Sequence, residues 1–125
     1  MMKRTVNIDT LLKSTLKKYW GYEEFRQYQQ NTCHEILNGR DCFVVMATGS
    51  GKSLMYQLPP VALREIGIKA VSVVISPLIS LMNDQVNALR VMGISAGMVC
   101  SGTSMADEKR AREGEFSVLY MSPEK

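Results

Sequence analysis

The run Cys42-Phe43-Val44-Val45-Met46-Ala47-Thr48-Gly49-Ser50-Gly51-Lys52-Ser53 is the place from which the rest of the chain is best read. Its first five residues are continuously apolar, the pattern of a strand buried on both faces. Small residues follow, then a helical stretch from about Lys52 to Gln57. Gly49 and Gly51 can take dihedrals closed to other residues, so successive N–H groups of Ala47, Thr48, Gly49, Ser50, Gly51 and Lys52 can turn inward around an anion. The helix start adds partial positive charge. Lys52 is placed to neutralise the β- and γ-phosphates of a nucleoside triphosphate, and the Ser53 hydroxyl to complete the coordination of Mg²⁺. The strict phosphate-loop pattern G-x-x-x-x-G-K-[ST] would put glycine where this chain has Met46; here the first glycine is Gly49.

Outward from this loop, apolar runs and helical periodicities alternate. Strands are expected over Ala70–Ser76, Ala96–Cys100 and Ser117–Met121, the first of them buried on both faces like residues 42–46. Helices are expected over Ser80–Met92 and Ser104–Glu113. The former carries Leu81, Met82, Gln85, Val86, Leu89 and Met92 on one side and is closed by Gly93. Upstream, Ile8, Leu11, Leu12, Leu16 and Tyr19 recur at helical spacing, with Asn7 or Asp9 as N-cap and Gly21 after the last turn. A second helix spans about Gln27–Leu37, with Cys33, Ile36 and Leu37 on one face and Gly39 as its stop. Strands alternating with amphipathic helices specify an α/β fold, a parallel sheet flanked by helices. In such sheets ligands sit beyond the carboxyl ends of the strands, where the loop at residues 47–53 falls.

Composition narrows the classes. With 125 residues, 46% hydrophobic and 22% charged, the chain suffices for one globular domain. A net charge of +3 suits a polyanion partner or a plain solvated surface. The apolar runs are too short to cross a bilayer, and no apolar stretch follows the basic start, so neither a membrane span nor a signal peptide is expected. Cys33, Cys42 and Cys100 fit neither a disulfide framework nor zinc spacing and read as reduced, largely buried residues of an intracellular protein. His34 reads as a structural histidine, Asp107-Glu108 as part of a solvated helix face, and Lys13, Lys17 and Lys18 as a basic face that is more often solvated than a DNA contact.

Three blocks around the loop carry a resemblance. Tyr19-Trp20-Gly21-Tyr22-Glu23-Glu24-Phe25-Arg26-Gln27-Tyr28-Gln29 precedes it, Ser76-Pro77-Leu78-Ile79-Ser80-Leu81-Met82-Asn83-Asp84-Gln85-Val86 follows it, and Leu119-Tyr120-Met121-Ser122-Pro123-Glu124 comes later. Together with the loop they resemble the RecQ family of superfamily 2 DNA helicases, from about Leu16 onward, with a lean toward its Werner-syndrome-helicase-like branch. Trp20 replaces the family's usual Phe, and Gln27 a common Pro. The resemblance implies a RecA-like P-loop NTPase fold with residues 1–40 as N-terminal helices carrying adenine recognition and 41–125 as the first part of the ATP-binding domain. It implies that Tyr22 stacks on adenine, that Gln29 reads the base edge, and that Arg26 helps position the nucleotide; a side-chain amide offers the donor and acceptor that adenine N6 and N7 require. It further implies that Ser76, Pro77 and Ser80, with Ser101 and Gly102 and with Ser122, line a groove for single-stranded or forked DNA. Read without the resemblance, Ser76–Ser80 is a plain βα turn.

The family's next motif, Asp-Glu-x-His, does not occur in the sequence, nor does a second RecA-like domain. The expectation is therefore the N-terminal part of an ATP-dependent 3′–5′ DNA helicase, using ATP and Mg²⁺, incomplete before the Asp-Glu-x-His strand and itself inactive. The alternative is a non-catalytic nucleotide- or partner-binding module that regulates a full-length helicase. A nuclear address would follow only from the Werner-like lean.

Overall fold

The computed structural model describes residues 7–26, 28–39 and 52–123. The expected strand at 42–46 and the loop residues Ala47, Thr48, Gly49, Ser50 and Gly51 lie outside them. Helix α1 (Ile8–Thr15) starts at Asn7, whose Oδ1 accepts from Thr10 N–H at 3.0 Å, and continues into a π-helical turn, Leu16–Trp20. Gly21 ends that turn at φ 78°, a left-handed conformation that favours glycine. Helix α2 is Gln29–Leu37 and α3 is Leu54–Glu65. Strand β1 (Ser72–Ile75), α4 (Ile79–Val91), β2 (Ala96–Val99), α5 (Met105–Arg112) and β3 (Val118–Met121) follow.

The three described strands form a parallel sheet in the order β1-β3-β2, with Ile75 and Val99 both in register with Met121. The parallel sheet flanked by helices is thus the observed architecture. Helices α3 and α4 cover one face, where Val61, Met82, Val86 and Leu89 meet Ala96, Val118 and Tyr120. Helix α5 lies by the other face over Val99, Phe116 and Leu119. A third cluster joins Leu12, Leu16 and Cys33 to Leu54, Leu58 and Ala62, which fixes α1 and α2 against α3.

Two expectations change. β1 is not buried on both faces: Val73 and Ile75 are 55% and 58% exposed, because α5 packs against β2 and leaves their side of β1 uncovered among the described residues. Helix α3 does not stop near Gln57 but runs through Pro59 and Pro60, both buried. Each proline forgoes one backbone bond to the preceding turn, and burial in the core offsets the loss.

Candidate functional site

The described part of the expected nucleotide site is one open cavity of about 840 Å³ between the Trp20–Gln29 segment, the start of α3 and the first half of α4. Tyr22, Arg26, Gln29, Lys52 and Ser53 all line it, although they are contributed by segments far apart in sequence. Gln29 is only 4% exposed, and its Oε1 accepts from the Arg26 backbone N–H at 2.7 Å. The chain returns from Arg26 to Gln29 through Tyr28, whose φ of 71° makes it the one non-glycine residue with positive φ among the described residues. Tyr22 is 60% exposed, a ring presented to the cavity rather than packed in the core. Ser53 precedes the first residue of α3, and its hydroxyl makes no capping bond to the helix.

The cavity also contains residues not expected at a nucleotide site: Trp20, Glu24, Leu54, Tyr56, Leu81 and Gln85. Leu81 is a correction, since it was expected in the core with Met82, Val86 and Leu89 but is 47% exposed and faces the cavity. Leu81 and Gln85 are four residues apart and so form a second stripe beside the core stripe. A glutamine inside an otherwise apolar stripe was the available signal. Tyr56 O–H donates to Gln85 Oε1 at 2.8 Å, and the buried Gln57 Nε2 donates to Tyr120 Oη at 2.8 Å. Burial pushes the Tyr120 phenol well above its ordinary range.

The segments expected to face DNA gather at the carboxyl edge of the sheet. Ser76 N–H donates to Met121 O at 3.0 Å, and Ser122 N–H to Val99 O at 3.1 Å, so the three strand ends are laced side by side. Ser76 Oγ accepts from Leu78 N–H at 3.1 Å and shapes the turn into α4; Pro77 and Ser80 are exposed beside it. Ser101 and Gly102 are exposed in the loop after β2, which is closed by Cys100 N–H donating to Thr103 Oγ1 at 2.8 Å. Ser122 departs from the expectation: it is 2% exposed, and its Oγ has no hydrogen-bond partner, so the side chain does not reach the surface.

The residues read as structural are accounted for. His34 Nδ1 lies 3.0 Å from Asp9 Oδ1, tying α2 to α1. Lys13, Lys17 and Lys18 face Glu24, Glu23 and Glu65 at 4.0, 3.0 and 2.9 Å. Cys33 and Cys100 are buried. No cluster of metal-binding side chains and no helix long and apolar enough to cross a membrane occurs among the described residues.

Comparison with known proteins agrees with this geometry. The model of the DEAD/DEAH box helicase family matches residues 26–125. The chain is 42% identical over 116 residues to the ATP-dependent DNA helicase RecQ of Haemophilus influenzae, covering 90% of this chain and 18% of that protein. It is 44% identical over 110 residues to the bifunctional 3′-5′ exonuclease/ATP-dependent helicase WRN of Mus musculus, covering 87% of this chain and 8% of that one. The chain thus spans less than a fifth of either relative. Among solved structures, the DUF1998 helicase MrfA bound to DNA superposes with a TM-score of 0.74 at 22% identity, covering 96% of this chain and 18% of that one. A hypothetical ATP-dependent RNA helicase from Sulfolobus tokodaii gives 0.61 at 22% identity, over 92% of this chain and 34% of that one, and these two likenesses speak for the fold. A parallel sheet flanked by helices and a family match across residues 26–125 mean that the chain belongs to the DEAD/DEAH box helicase family.

Proposed function

We propose that the chain is the nucleotide-gripping part of a RecQ-type ATP-dependent DNA helicase moving 3′ to 5′, with residues 1–40 carrying base recognition and 41–125 the phosphate site and strand-facing turns. What carries the reading is the shared cavity of Tyr22, Arg26, Gln29, Lys52 and Ser53. Its size suits a nucleotide, and its mixture of ring, amide and cation matches a base at one end and phosphates at the other. In this reading Tyr22 stacks on adenine. Gln29, whose Oε1 accepts from Arg26 N–H, lines the same cavity as the Tyr22 ring and supplies an amide at its base end. Lys52 compensates phosphate charge as it redistributes toward the leaving group.

The donor set also fits Mg²⁺: Ser53 Oγ is a hard oxygen that the helix does not use as a cap, and it would serve as one protein ligand. The ion, when bound, supplies charge neutralisation to the phosphate oxygens. The turn at Ser76, Pro77 and Ser80 and the loop at Ser101 and Gly102 supply hydroxyls and backbone N–H groups suited to the phosphates of a single strand. The bacterial and mouse relatives match at 42% and 44% identity, so no nuclear address is proposed. The test is Lys52→Ala in the full-length protein, which should abolish phosphate release stimulated by single-stranded DNA; retained stimulated turnover would overturn the assignment.

A further inference from the structure

We infer that Tyr56 and Gln85 are a positioning pair that ties the phosphate end of α3 to α4, so that nucleotide at Lys52 and Ser53 and a single strand at the Ser76–Ser80 turn act on one hydrogen-bonded unit. The inference rests on the nucleotide and single-strand reading above. Tyr56 stands one turn into the helix from Ser53, whose carbonyl accepts from Tyr56 N–H at 3.2 Å. Its hydroxyl donates across the cavity wall to Gln85 Oε1 at 2.8 Å. Gln85 belongs to the helix whose first turn is set by Ser76 Oγ through Leu78 N–H. One bond therefore separates the helix that begins at the phosphate site from the helix that begins at the strand-facing turn.

The pair is braced from below. The Tyr56 ring meets Tyr120 edge-on, with centroids 6.3 Å apart and planes at 75°. Tyr120 is 1% exposed and takes the amide of Gln57, the next residue of α3. Because Tyr120 is fixed in the core, the Tyr56 ring has little room to swing, and its hydroxyl is aimed at Gln85. Both members line the nucleotide cavity, so a bound nucleotide bears on the bond directly. A bond of this kind is either made or broken, so a ligand that favours the bonded form at one site favours it for the ligand at the other.

The experiment compares the wild-type full chain with Tyr56→Phe, Gln85→Met and the double variant. Fluorescence of an N-methylanthraniloyl-ATP reads nucleotide binding in the presence of Mg²⁺. Anisotropy of a labelled oligo-dT, with and without a non-hydrolysable ATP analogue, reads the linkage between the two sites. In the wild type the analogue should change oligo-dT affinity by about fivefold or more, and in each single variant by less than about twofold. The double variant should lose no more than either single one, and melting temperatures should stay near the wild type, which a merely structural pair would not allow. Gln85→Glu keeps an acceptor oxygen and should retain the linkage while its charge weakens triphosphate binding. Unchanged linkage in the single variants, losses that add in the double, or loss of linkage in Gln85→Glu would overturn the pair. A wild-type chain that binds neither probe would overturn the underlying functional reading as well.

Discussion

Replacing Gly97 by alanine tests the packing that holds the second face of the sheet. A Cβ at that position would lie 2.7 Å from Phe116 Cδ2 and nearer still to Cε2 and Cζ, where carbon contacts settle at about 3.5–4.0 Å. The ring must therefore move by roughly an ångström. It has little freedom to do so: Phe116 is 2% exposed, packs with Val99 and Leu119, and has the Arg110 guanidinium 4.8 Å from its centroid. Overpacking of this kind costs about 1–3 kcal/mol. At roughly 4 °C per kcal/mol for a chain of this size, the melting temperature should fall by about 4–12 °C. Urea unfolding followed by circular dichroism measures the change at constant temperature. Adding Phe116→Leu to Gly97→Ala should cost less than the two single losses combined, because the shorter side chain relieves the clash. A Gly97→Ala chain within about 0.5 kcal/mol of the wild type, or strictly additive losses, would refute the close approach of Phe116 to Gly97.

Arg64 should be a second stability centre, since its guanidinium donates to Ala70 O at 2.9 Å, Gly114 O at 2.9 Å and Phe116 O at 3.1 Å, joining the end of α3 to the approaches of β1 and β3. Arg64→Ala should cost about 2–3 kcal/mol in urea unfolding, discounted for partial exposure, and Arg64→Lys should recover little because the planar fork is lost. Stability should also fall in acid: the Tyr19 hydroxyl first, then the Lys18 ammonium, hold the Glu65 carboxyl below its ordinary 4.5. A depressed folded value gives a contribution complete above about pH 5 and lost as pH falls through the folded value, so the urea midpoint should decline there, less steeply in Glu65→Gln. At the cavity, Tyr22→Ala should weaken binding of a fluorescent ATP by about tenfold and Tyr22→Phe by little, as stacking requires; equal affinities in all three chains would remove Tyr22 from base recognition.

Elements set by local periodicity were legible in the sequence. β1, β2 and β3 fall inside Ala70–Ser76, Ala96–Cys100 and Ser117–Met121, and α1, α4 and α5 begin within a residue of where their caps and apolar spacing put them. What sequence could not supply is non-local. Lys18 and Glu65 meet across 47 positions, and Arg64 and Phe116 across 52. No periodicity announces that Gly97 is glycine because a ring lies against it. Helix α3 runs past Gln57 through Pro59 and Pro60, because burial of its apolar face offsets the low helix propensity of proline. Leu81 was misplaced for a related reason: a 3.6-residue period defines a stripe but not which neighbour each edge of the stripe faces. Tyr22, Arg26, Gln29, Lys52 and Ser53 are candidates from the sequence that line one cavity, but that Leu81 and Gln85 share it required the fold.

The segment carrying Tyr22 and Arg26 is held by two kinds of contact, and their magnitudes decide which matters. Lys13 of α1 and Lys17 of the π-helical turn reach Glu24 and Glu23, but all four side chains are about half exposed or more, at 49%, 66%, 79% and 72%. Exposed pairs of this type contribute about 0–1 kcal/mol each and are screened by salt. Gln29 is buried, and its Oε1 accepts from Arg26 N–H at 2.7 Å, a part-buried bond of the kind that contributes about 0.5–1.5 kcal/mol and is little screened by salt. The shape of the recognition segment therefore depends on Gln29 more than on Lys13 and Lys17. Gln29 stands both beneath that segment and at the cavity wall, so any change there alters the position of Arg26 before it alters a contact with a base.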